Sequence, residues 1–242
     1  MRLFFIISFV CFIASFSKAE NQADSTLLEA DSLFNAKKFT ESFKVYEHLL
    51  TTEKKASAAM LLKMAYIKEG LGDYSMALYY LNLYYLQTSD KKVLSKMEEL
   101  ADKKDLKGYN YADFEFFETV FFKYFNPIIY TLLAISILLF AIAIRYKKKS
   151  EYSPVIPVIL NILVLALLFY TLNFGREYHK GIVVQSNTYL MEGPSAGAEV
   201  IAIIGKGHRL PVYKNHDVWT QTEWQGKKAF IKTNKIKKVN FM

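Results

Sequence analysis

The chain has 242 residues, 52% of them hydrophobic, and a mean hydropathy of +0.09, which is high for a protein that lives wholly in water. Its net charge of +8 is unevenly placed: residues 20–126 carry 14 lysines against 17 acidic groups, whereas residues 175–242 carry 11 basic against 5 acidic groups. That division excludes a nucleic-acid reading of the pI of about 9.2. The one cysteine, Cys11, lies in the first apolar run, so disulfides and thiol chemistry are excluded from everything that follows it.

Arg2 precedes apolar residues 3–16, and Ser17 and Ala19 supply the small residues that signal peptidase requires, which predicts a cleaved signal peptide over 1–19. An uncleaved anchor is the alternative, but the run is short for a hydrocarbon core of about 30 Å. Export then applies to everything from Glu20 onward.

Residues 24–106 read as consecutive amphipathic helices joined by polar turns. Two stretches superpose with a shift of 35, placing Lys37-Lys38-Phe39 on Gly72-Asp73-Tyr74, Ser42 on Ala77 and Tyr46 on Leu81. Such a self-match signals stacked helical hairpins, in which a small residue sits where two helices approach closely. On "LGDYSMALYYL", with Gly72, Tyr74 and Ala77, and on Ala65 in the preceding helix, the segment resembles the tetratricopeptide repeat family. The resemblance implies a groove lined by first-helix positions, here Asp24, Leu27, Asp31 and Phe34, then Ala59, Leu62, Tyr66 and Glu69. It also implies that a terminal carboxylate is not the ligand, because Leu27 and Asp31 stand where the family's lysine–asparagine clamp would be. Residues 91–104 fit a third first helix or a cap.

Residues 109–126 form an aromatic stretch leading into the next apolar run. Rings of this density favour a membrane–water interface, which predicts an interfacial helix, and the acidic excess over its single lysine argues against base stacking.

Residues 128–144 and 155–174 contain no Asp, Glu, Lys, Arg or His. Transmembrane helices are therefore expected over 127–144 and 154–174, with Pro127, Pro154 and Pro157 at or before the first turns. Between them, over 145–153, Arg145, Lys147, Lys148 and Lys149 outnumber Glu151; positive residues in a short loop stay cytoplasmic. The expected topology is a hairpin in a bacterial inner membrane, with both flanking modules periplasmic.

From residue 181 to 242 the pattern changes to about five short β-prone runs separated by turn residues, which fits a small all-β barrel. The order "YLMEGPS", "GKG", Trp219, "QGKKAF" resembles the bacterial SH3-like family, with Ala229-Phe230 where glycine–tryptophan is usual. That resemblance implies a ligand surface around Tyr189, Trp219, Phe230, Lys227 and Lys228, with protein or peptidoglycan stems as ligand. A core position for Trp219 and a solvating role for the lysines are the alternatives.

No chemistry is legible. "GPSAG" around Ser195 has the serine-hydrolase spacing, but no histidine follows Asp217 or Glu223 downstream, and the strand-to-helix elbow that such a serine needs is not expected here; His48, His179, His208 and His216 make no ligand set, and "GKG" lacks the phosphate-loop frame. The fold class expected is a multi-domain membrane protein: all-α tetratricopeptide-type repeats, a two-helix transmembrane hairpin, and a small SH3-like barrel. In this order the chain resembles the BatE-type family of bacterial aerotolerance operons. That implies a non-catalytic scaffold without cofactors, working with membrane or periplasmic proteins, von Willebrand A-type ones among them, in envelope stress. The alternative is a wall-contacting sensor.

Overall fold

The computed structural model describes residues 25–111, 113–149, 153–174 and 179–240, except for the side chains of residues 113, 114, 149 and 174. The expected signal peptide over 1–19 lies outside them.

Helices α1 (residues 25–35), α2 (Phe39–Thr51), α3 (Ala58–Gly70), α4 (Tyr74–Thr88) and α5 (Lys92–Asp102) follow one another through short turns. The self-match of the sequence reappears in backbone geometry. Lys37, in the α1–α2 turn, has φ 59°, and Gly72, in the equivalent α3–α4 turn, has φ 73°. Glycine enters this left-handed region without steric cost, whereas lysine does not. The small residues Ser42 and Ala77 are each fully buried, and the Ser42 hydroxyl donates to the Ala30 carbonyl at 2.8 Å, holding α2 against α1. α3 starts where the Ser57 side chain accepts from the Met60 amide at 3.2 Å, a capping bond. Leu61, Met64, Leu78, Leu83, Leu86, Met97 and Leu100 fill the core between α3, α4 and α5. Burying side chains of this size contributes about 1.5–3 kcal/mol each, which is what holds helices this short together.

The aromatic stretch divides in two. Only Asp113–Lys123 is helical (α6), and α6 packs along α4; residues 106–111 before it are an extended strap whose Tyr109 is 3% exposed. The expected interfacial helix over 109–126 is therefore shorter and half committed to the helical module, with Glu115 and Thr119 buried and Phe117 outward.

Two helices follow, α7 (Phe125–Lys149) and α8 (Val155–Phe174), and both are long and apolar enough to cross a membrane. They pack on each other, burying Ser136, Ala143 and Thr171, while Tyr130, Ile156 and Phe169 on their outer faces are about two-thirds exposed or more. Soluble surfaces rarely carry apolar patches of this extent. Across the pair the Ser136 hydroxyl donates to Asn161 Oδ1 at 2.7 Å, the inter-helix partner that Asn161 needs among apolar neighbours. The basic residues expected in a loop continue α7 instead: helix runs through Lys149, so Arg145, Lys147 and Lys148 lie on its last turns, where cations meet the negative end of the helix dipole.

The C-terminal module is one antiparallel sheet of seven strands: β1 (Lys180–Val183), β2 (Thr188–Met191), β3 (Val200–Ile204), β4 (Arg209–His216), β5 (Trp219–Trp224), β6 (Lys227–Lys232) and β7 (Ile236–Lys238). Their spatial order is β3-β2-β6-β5-β4-β1-β7. The expected barrel is thus not closed, since β3 and β7 remain as the two edges. The short β7, three residues behind a 3-10 turn over Thr233–Lys235, carries too little alternation to stand out in the sequence.

The turn geometry makes a direct prediction. Lys37→Gly should raise the stability of the full-length protein by about 1 kcal/mol and Gly72→Ala should lower it by a similar amount, read as opposite shifts in thermal unfolding in detergent.

Candidate interaction surfaces

The expected groove on the helical module is largely occupied by its own side chains. Asp24 lies outside the described residues, and Leu27 is half-buried against the core. Asp31 pairs with Lys63 at 2.7 Å and accepts the Tyr46 hydroxyl; Glu69 pairs with Lys96 at 2.9 Å. Burial works against the Asp31 carboxylate, but the bonds from Lys63 and Tyr46 outweigh it and hold its pKa below the usual value. Phe34 and Tyr66 close with Phe39 into an edge-to-face trio, centroids 5.4–5.9 Å apart. What stays accessible on this face is apolar: Ala59, Leu62 and one side of Tyr66. A contact made here is hydrophobic, not a charged clamp.

The sheet's expected ligand surface is divided. Trp219 and Phe230 are 7% and 4% exposed and cluster with Met191, so their rings belong to the interior; Lys232 and Lys228 lie over them at 5.9 and 5.1 Å. Tyr189 is exposed beside its cross-strand neighbour Ile203, and Lys227 and Lys228 are exposed on the opposite side of the β2–β6 junction.

Sequence reasoning missed the seam between the two modules, which is the most elaborate polar constellation among the described residues. The strap before α6 runs alongside the start of β4. The Lys107 amide donates to His208 Nδ1 at 3.0 Å, the Arg209 amide to the Lys107 carbonyl at 3.0 Å, and the Tyr109 hydroxyl to the Gly207 carbonyl at 2.7 Å. The approach is so close that a Cβ on Gly108, whose φ is 95°, would stand 1.9 Å from the Arg209 carbonyl oxygen. Beneath the strap, Arg209 Nη1 donates to the Gly108 carbonyl at 3.0 Å and Nη2 to Glu115 Oε2 at 2.7 Å. Lys180 Nζ reaches the other carboxylate oxygen of Glu115, also at 2.7 Å.

Burial disfavours the Glu115 carboxylate, yet the charge of Arg209 and the bonds from Lys180 and Arg209 prevail and keep its pKa below the ordinary glutamate value. The neighbouring Glu118 goes the other way, raised by burial and by the charge of Glu115. Ile182 and Val239 of the sheet join the helical core cluster, and Lys237 lies 4.4 Å over the Tyr79 ring, so the seam is apolar as well as polar. Lys206 adds an ion pair to Asp73 at 3.8 Å. The one hint in the sequence was Gly108, outside any regular element; Gly207, with φ 104°, serves the β3–β4 turn and lies there against Leu106 of the strap.

Among the described residues no group of three or more His, Cys, Asp or Glu side chains is arranged to hold a metal ion. No family model, curated protein or solved structure matches the chain.

Two outcomes follow from the seam. Glu115→Gln leaves Arg209 buried against a neutral partner and should cost about 3 kcal/mol of stability, whereas Glu99→Gln on the exposed face of α5 should be nearly neutral; thermal unfolding compares them. His208 is neutral in the seam because burial, and then the charge of Lys107, depress its pKa, with Asp105 opposing. A depressed folded pKa means that its contribution is complete above the unfolded value of about 6.5 and declines as pH falls from there through the folded value. The melting temperature should fall across that window, and His208→Asn, which keeps an acceptor for the Lys107 amide but does not titrate, should flatten the decline.

Proposed function

We propose that this protein is a non-catalytic membrane scaffold that holds a helical-repeat module and a small β module side by side on one membrane face. The observation that carries the reading is the ion pair between Glu115, ahead of α7, and Lys180, after α8. Whatever lies between them must leave and return on the same side. The 24 apolar-rich residues of α7 at about 1.5 Å each reach about 36 Å, enough for a bilayer core of about 30 Å. Two crossings as a hairpin satisfy both conditions, and the helix-end cluster Arg145, Lys147, Lys148 then sits at the far face, which for positive residues is the cytoplasm. The modules are accordingly periplasmic in a bacterial inner membrane.

Recognition in this reading is the work of the exposed faces, the apolar Leu62–Tyr66 strip on one module and the β2–β6 side of the other. Tethering both beside one membrane raises their effective concentration for a shared partner. Membrane or periplasmic proteins are that partner class. The architecture resembles the BatE-type aerotolerance proteins, and that resemblance supports an envelope-stress assembly with von Willebrand A-type membrane proteins as the scaffold's setting.

Cysteine labelling in intact cells tests the topology. Lys228→Cys and Glu98→Cys should react with a membrane-impermeant maleimide, and Lys147→Cys should react only after permeabilisation; labelling of Glu98→Cys and Lys228→Cys from opposite sides would refute the reading. In-cell crosslinking followed by purification tests the scaffold itself. A stoichiometric set of envelope proteins, lost with Leu62→Glu/Tyr66→Glu, is expected, and recovery of the chain alone with wall fragments would favour a wall sensor.

A further inference from the structure

Between the β2–β3 hairpin and the start of β6 the sheet opens into a cleft of about 630 Å³, lined by Glu192, Glu199, Val200, Ile201, Lys227 and Lys228. Its size lies within the range of about 300–1,000 Å³ typical of ligand sites. Two departures from regular pairing create it. β2 meets β6 through one residue pair, Met191 with Phe230, although β6 is paired along its whole length with β5 on the other side. The register between β2 and β3 also shifts between Leu190 and Met191, and the extra residue on β3, Ile201, lines the cleft. Bulges of this kind end a strand pairing and re-aim the side chains beside it.

The consequence is a free length of strand edge. On the side of β6 away from β5, Lys227, Lys228 and Ala229 have no strand partner among the described residues. The two walls carry opposite charge, and the four charged side chains form no ion pair among the described residues, in contrast to Glu69, Glu99 and Glu115, each of which is paired. Lysines on an open edge repel a second copy of the same edge. The unpaired carboxylates opposite them make the cleft complementary to a strand that carries both signs.

We propose that this cleft takes an extended segment of a partner protein, which adds as a short strand beside Lys228 and directs a basic side chain toward Glu192 and Glu199 and an acidic one toward Lys227 and Lys228. Main-chain bonds to the β6 edge supply binding, and the two charge contacts fix direction and register. Val200 and Ile201 supply the apolar wall for the side chains between the charged positions. The inference goes beyond the scaffold reading and stands on the sheet alone, so it survives a failure of the hairpin topology.

Fluorescence anisotropy tests it with the full-length protein in lipid nanodiscs and a labelled pentapeptide, Val-Lys-Val-Glu-Val, with both ends blocked. Saturable binding is expected, weakened about fivefold by Glu192→Gln/Glu199→Gln and again by Lys227→Gln/Lys228→Gln, because each exposed charge contact is modest. N-methylation of the peptide backbone should abolish binding, and Val-Lys-Val-Lys-Val should bind less tightly. No saturation at millimolar peptide would overturn the proposal, and so would binding that both double variants or the N-methylated peptide leave unchanged.

Discussion

The arrangement of this protein depends on one carboxylate. Glu115 stands on α6, just before the first apolar helix, and its two oxygens are taken by Arg209 of β4 and Lys180 of β1, both beyond the second apolar helix. Removing an ion pair from water is costly, and a buried pair is retained where it fixes one arrangement against others. Here it joins residues 94 positions apart in sequence and closes a long excursion of chain. The strap at Gly108 and the apolar contacts of Ile182 and Val239 then convert a point contact into a docked surface.

From that constraint the rest follows in order. With the modules docked, α7 and α8 must be antiparallel neighbours with their flanks together. Their outer faces are then predominantly apolar, and the Ser136–Asn161 bond is turned inward between them. The helical module presents an apolar strip because its polar groove positions are spent on internal ion pairs, and the sheet presents a split edge because β2 leaves β6 after a single pair.

Much of this was legible in the sequence, for identifiable reasons. Periodicity and the spacing between Lys37 and Gly72 marked the helical hairpins because the turn geometry recurs at both places. The two apolar runs announced themselves by the complete absence of charge. The β-prone runs located most of the sheet. The open sheet and its seventh strand were not legible, because closure is decided by which strands pair and three residues carry no pattern. Neither was the burial of Phe230, which alternation alone does not settle against a surface role, whereas a core position for Trp219 was among the readings the sequence offered. The seam was illegible for a deeper reason: Tyr109, Glu115 and Arg209 are ordinary residues in their local segments, and only the tertiary approach of two modules gives them a shared site.

The most direct measurement of the docked arrangement is an intrachain crosslink. Asp73, in the α3–α4 turn, and Lys206, after β3, are ion-paired at 3.8 Å across the seam. With Asp73→Cys and Lys206→Cys in the full-length protein in native membranes, a short bismaleimide should join the two positions within a single chain. The yield should be high, and it should drop when Gly108→Val is added to force the strap away from Arg209. Failure to crosslink in membranes, while each cysteine remains reactive alone, would contradict the docked modules and the proposed single-face hairpin that rests on them.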